Sequence, residues 1–135
     1  MRLQRFLRVV GIFTLLAFAA AFMPAQWIVQ TSEFFGFDPF PHSPLTFYLA
    51  RHLSLLYGFV GVLFLLIAAD LERFVGLIRP IAIMAILLGL AQAAIDWQSG
   101  LPWWWTAGES ISTIMGGTIL WWLSPDKQSP SVPNF

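Results

Sequence analysis

The chain contains no cysteine. Disulfide frameworks, thiolate metal sites and thiol nucleophiles are therefore excluded. Charge is nearly as scarce. Only 10 % of the 135 residues are Asp, Glu, Lys or Arg, against about 25 % in a soluble domain. Seven basic and seven acidic residues cancel, which leaves no basic face, and nucleic acid is not expected as a partner. There is no glycine-rich phosphate loop and no nucleophile motif, and no cofactor is implied. What fills the chain is hydrophobic side chains, 58 % of the total. That content excludes a disordered polymer and, with so little charge, a water-soluble globule. An all-α integral membrane protein with the lipid bilayer as its first partner is the expected class.

A bilayer core of roughly 30 Å needs about 20 apolar residues in helix. Four windows approach this, at about 6–23, 45–69, 75–96 and 107–123. They predict a single transmembrane four-helix bundle over 1–123. The first window has a basic start and small residues at Ala19, Ala20 and Ala21, as signal peptides do; it is read as an uncleaved helix. Between the first two windows, Pro24, Pro39, Pro41 and Pro44 forbid one continuous helix. Trp27, Phe34, Phe35, Phe37 and Phe40 fall in the same stretch. The segment 26–40 is expected to hold a short interfacial helix near 26–35, in the first outer loop. The tail 124–135, with three prolines, is expected to be flexible and cytoplasmic.

Orientation follows from basic residues in short loops. Arg2, Arg5 and Arg8 precede the first window, Arg73 and Arg79 follow the second, and Lys127 follows the fourth. The opposite connections, 24–44 and 97–106, contain no Lys or Arg. Both termini are therefore expected in the cytoplasm. Trp97, Trp103, Trp104 and Trp105 on one side, with Trp121 and Trp122 on the other, match the aromatic belts found at headgroup depth.

Small residues allow close helix contact. Ser54, Gly58 and Gly61 mark such a stripe on the second window, with Arg51 one turn above. Ala85, Gly89 and Ala93 mark another on the third. Gly108, Ser112 and Gly116, with Glu109, Thr113 and Gly117 alongside, mark the fourth. These stripes are expected to meet, bringing Arg51, Asp96 and Glu109 to one outer end, with Gln92 a turn below Asp96. An intramembrane charge normally faces the bundle and pairs, so Arg51 is expected to bind one or both carboxylates. The group is then either a clamp or a working site. Two carboxylates against one Arg leave an excess negative charge, which a cationic or hydrogen-bond-donating ligand would balance. Glu109, Asp96 and His52 are the candidates for acid-base catalysis. Arg51, Asp96, Glu109, Gln92, Trp103, Trp104 and Trp105 are the candidates for ligand binding, with Gly58, Gly89 and Gly116 leaving room beneath. A metal site from His42, His52, Asp96 and Glu109 lacks any ligand spacing such as His-x-x-x-His, and no metal is expected. Asp70 and Arg73, three apart, are placed to pair on one helical turn.

Two stretches carry a resemblance. One is LARHLSLLYGFVGVLFLLIAADLERF, from Leu49 to Phe74. The other is IDWQSGLPWWWTAGES, from Ile95 to Ser110. With Ala50-Arg51, Leu56-Tyr57-Gly58, Gly61, Asp70 with Arg73, and Asp96 followed by Gly100-Leu101-Pro102 and the Trp run, the chain resembles the BphX-like family of small bacterial four-helix membrane proteins. The resemblance implies an inner-membrane protein of no established activity. It supplies no catalytic residues, and it places Arg51, Asp96 and the Gly-Leu-Pro-Trp loop among the family's typical features.

Three functions compete. The first expectation is a protein that binds an amphiphilic or apolar small molecule or lipid through the outer polar cluster, or an accessory subunit docking a membrane protein partner. The second is a membrane enzyme doing isomerase-like acid-base chemistry on an apolar substrate. The third is a carrier of cations or small solutes, which the lack of charge deep in the third and fourth windows disfavours. A weak homo-oligomer through Ala17 and Ala21 is a further possibility.

Overall fold

The structure, a computed structural model, describes residues 2–37 and 39–125. The expectation for the tail falls outside these residues beyond Pro125. All regular elements among the described residues are helical. They are α1 (Arg2–Leu15), α2 (Ala17–Phe22), α3 (Ala25–Phe34), α4 (Pro44–Ala69), α5 (Leu71–Ser99), α6 (Trp103–Thr106), a π-helical turn (Ala107–Ile111) and α7 (Ser112–Leu123). Three helical stretches are long and apolar enough to cross a membrane: Arg2–Phe22, Pro44–Ala69 and Leu71–Ser99. From Trp103 to Leu123 the chain is also continuously helical, but in three pieces joined through the π-turn.

The described residues divide into two compact units, one within 4–69 and the other within 70–125 together with 2–3. In the first, α1 and α2 run antiparallel to α4. Gln4 Nε2 donates to the Ala68 carbonyl at 2.8 Å. Further along, a Cβ on Gly61 would stand 2.5 Å from the Leu15 nitrogen and 2.7 Å from the Gly11 carbonyl oxygen, so the two backbones approach as only glycine permits. Gly58 is covered by the Phe18 ring, which meets Phe59 edge-on at 5.3 Å. This corrects the expected use of the second stripe. Gly58 and Gly61 face α1 and α2, and the space beside Gly58 is filled. Ala21 is buried on α2, the helix packed against α4.

Punctuation residues set the ends. Met23 takes an extended conformation between α2 and α3, since Pro24 disfavours helix in the residue before it and supplies no donor. The short helix expected near 26–35 is α3. It closes on Gly36, whose φ of 87° only glycine adopts readily. Phe37 N–H then reaches the Ser32 carbonyl at 3.0 Å and Gly36 N–H the Glu33 carbonyl at 2.9 Å, the paired bonds of a Schellman ending. Ser43 caps α4: its Oγ accepts from the Thr46 backbone N–H at 3.1 Å, with Pro44 in the first helical position where its missing N–H costs nothing.

In the second unit, Asp70 caps α5 by accepting from the Arg73 backbone N–H. The contact expected between these two residues is thus a helix cap, and the Arg73 guanidinium lies over the Phe74 ring at 5.5 Å. α5 runs antiparallel to α7 with an equally close seam. A Cβ on Gly117 would stand 2.9 Å from the Ala82 carbonyl oxygen, and one on Gly89 would stand 2.9 Å from the Ser110 carbonyl oxygen and 3.0 Å from the Ile114 nitrogen. Gly89 makes the close helix contact expected of its stripe. On α7 the contact residue is Gly117, whereas Gly116 has nothing within 4 Å of its Cβ position. No room for a ligand remains beneath Gly89, because Ile114 and the Ser110 backbone occupy it.

Candidate functional site

The turn between α5 and α6 builds the polar end of the second unit. Gly100 has φ of 66°. Its N–H reaches the Trp97 carbonyl at 3.3 Å, and Leu101 N–H reaches the Asp96 carbonyl at 3.1 Å. Gly-Leu-Pro is therefore a Schellman ending followed at once by a helix start. Pro102 precedes the new helix, and its carbonyl accepts from Trp105 at 2.9 Å. This reversal sets α6 and the π-turn against the last turns of α5, where Gln92 and Asp96 stand.

A π-turn holds one more residue than an α-turn and interrupts the regular ladder. The hydroxyls that follow it serve the carbonyls within it. Thr113 Oγ1 donates to the Glu109 carbonyl at 2.7 Å, and Ser112 Oγ contacts the Gly108 and Glu109 carbonyls. Thr14, Ser54 and Thr118 make the same bond to the carbonyl one turn earlier in regular helix. The extra residue turns two consecutive side chains toward α5. Ser110, fully buried, donates to Asp96 Oδ2 at 2.8 Å. Glu109, half-buried, accepts from Gln92 Nε2 at 3.2 Å. Asp96 itself is 5 % exposed. A hydrogen bond to a carboxylate in such a setting contributes roughly 1.5–3 kcal/mol, and removing the donor leaves a desolvated acceptor.

The structure thus brings together Gln92, Asp96 and Glu109 and adds Ser110, which the sequence did not single out. Trp103 is exposed, while Trp104 and Trp105 are half-buried and meet edge-on at 6.1 Å. All lie on the short helix leading into the π-turn. Arg51 and His52 belong to the first unit. Arg51 Nη2 donates to the Met23 carbonyl at 3.3 Å, a cation at the C-terminal end of α2, where the helix dipole favours it. His52 stacks on Tyr48 at 5.0 Å, and His42 lies against Phe40 and Phe47 at ring distances of 5.9 Å and 6.3 Å.

At the opposite end of the α5–α7 pair, Arg79 Nε donates to Ser124 Oγ at 3.2 Å, and the guanidinium lies 5.7 Å from the centre of the Trp121 ring. An open apolar groove of about 310 Å³ runs along this end, lined by Ile83, Ile86, Leu87, Thr118 and Trp121. No known family profile, curated protein or solved structure matches the chain.

Proposed function

We propose that the chain is a four-helix inner-membrane protein of the BphX-like type, with both termini cytoplasmic and the helices of 103–123 as its fourth span. We further propose that it binds an amphiphile at the α5–π-turn site. The observation that carries this is the pair of carboxylates at one helix reversal. Asp96 is buried on a serine hydroxyl, and Glu109 is half-buried on an amide, both beside a π-turn and a run of three tryptophans. π-turns occur frequently at functional sites, and ionisable groups in membrane helices are functional by default. A carboxylate has about four acceptor positions, so Glu109 can receive a donor or cationic head beside Gln92. The apolar body lies along the Trp103–Trp105 rim, since the seam below Gly89 is closed.

The test is binding of two probes with the same long alkyl chain, an alkylammonium and an alkylsulfate, to the purified full chain by native mass spectrometry. Alkylammonium binds more tightly, and Glu109→Gln weakens it about tenfold, the loss of one charge-assisted contact. Asp70→Asn, at the α5 cap, changes nothing. Equal binding of the two probes, or an unaffected Glu109→Gln variant, overturns the reading.

A further inference from the structure

The groove at the Arg79 end is a different feature from the carboxylate site, and its chemistry is of the opposite sign. Its walls offer only apolar surface. Thr118, the one residue there with a hydroxyl, spends its proton on the Ile114 carbonyl at 2.8 Å and presents its remaining surface to the groove. The lining residues Ile83 and Leu87 are exposed, 44 % and 59 % respectively. An occupant of the groove proper must therefore be an apolar chain. Its volume, about 310 Å³, is at the small end of the range of roughly 300–1,000 Å³ for ligand pockets and suits a single chain.

One end of the groove is charged. Trp121 both lines it and carries the Arg79 guanidinium over its ring, while Ser124 Oγ accepts from Nε. The aromatic face and the hydroxyl fix a cation where the groove meets the end of α7. Arginine is the side chain best suited to phosphate, through its planar fork of donors. Basic positions on the cytoplasmic side of membrane helices are recurrent sites for anionic lipid headgroups.

We propose that this groove is a binding site for an anionic phospholipid, with one acyl chain along Ile83, Ile86, Leu87, Thr118 and Trp121 and the headgroup phosphate at Arg79. The site is independent of Glu109. It is tested on the full-length chain in neutral detergent by native mass spectrometry, titrating phosphatidylglycerol against phosphatidylcholine with identical chains. Wild type binds the anionic lipid at about fivefold lower concentration, the value of one basic contact near the membrane surface. Arg79→Gln, which can still donate to Ser124, loses the preference, and Arg79→Lys, which keeps the charge, retains it. Leu87→Trp fills the groove from an exposed position and weakens both lipids. Arg73→Gln, off the groove, keeps the preference. Equal binding of the two lipids by wild type overturns the proposal, as does a preference that survives Arg79→Gln or binding that survives Leu87→Trp.

Discussion

Gly89→Ala isolates the contact on which the carboxylate site rests. The added methyl would lie 2.6 Å from Ile114 Cγ1, 2.9 Å from the Ser110 carbonyl oxygen and 3.0 Å from the Ile114 nitrogen. The first neighbour is a side-chain atom and can turn away. The other two are backbone, and they yield only if α7 and the π-turn move off α5. Overpacking of this kind costs about 1–3 kcal/mol. Against it stands the intrinsic gain of Ala over Gly inside a helix, about 1 kcal/mol. Gly116→Ala supplies that gain alone, because nothing lies within 4 Å of its Cβ position. Gly116→Ala is therefore expected to stabilise slightly, and Gly89→Ala to fall below it by the steric term, about 1–3 kcal/mol. The assay is thermal unfolding of the three proteins in one detergent, followed by tryptophan fluorescence. Moving the π-turn also stretches the Ser110–Asp96 bond, so Gly89→Ala should weaken alkylammonium binding while Gly116→Ala leaves it intact. Equal stability of the two variants would refute the close seam and, with it, the claim that no ligand fits beneath Gly89.

Two further outcomes are expected. Arg51→Ala removes one exposed hydrogen bond to the Met23 carbonyl and should cost no more than about 1 kcal/mol in the same unfolding assay; a loss of several kcal/mol would show that the carbonyl is not its main partner. A fluorescent reporter fused after Phe135 should be active in the cytoplasm, and a phosphatase inserted between Gly100 and Leu101 should be active outside it. A C-terminal reporter found outside would reduce the spans to three.

The helix ends at Pro24 and Pro44 were legible because proline has one local meaning, and the observed limits at Phe22 and Pro44 sit on them. The helix at 25–34 followed from the same punctuation. The third window, expected over 75–96, is α5 over Leu71–Ser99; its ends are set by the Asp70 cap and the Gly100 turn, which apolar content does not mark. Partner choice was not legible. A stripe such as Ser54-Gly58-Gly61 states that some helix comes close and is silent about which; its complement, the Gly11 and Leu15 backbone on α1 and the Phe18 ring on α2, carries no special pattern of its own. On the fourth helix two adjacent stripes were legible, and one of them is used. The face that meets α5 holds Glu109 and Gly117 of the Glu109-Thr113-Gly117 stripe, together with Ser110 and Ile114, whereas Gly116 has nothing within 4 Å of its Cβ position.

In the second unit the seam is aliphatic and glycine-lined around Ala82, Gly89 and Gly117, where two regular helices touch. Polar side chains meet at its two ends: Arg79 with Ser124 at one, and Gln92, Asp96, Glu109 and Ser110 beside the π-turn at the other. The π-turn turns Glu109 and Ser110, adjacent in sequence, to the same neighbour, which an α-helix with 100° between residues does poorly. Ser112 and Thr113 donate to carbonyls within the π-turn, as Thr14, Ser54 and Thr118 do in regular helix. A purely structural clamp needs one carboxylate and one donor, and Asp96 with Ser110 already supplies both. Glu109 adds a second carboxylate beside it, which accepts from Gln92 Nε2 at 3.2 Å. Under the proposed function, Glu109 is the carboxylate that meets a ligand's polar head.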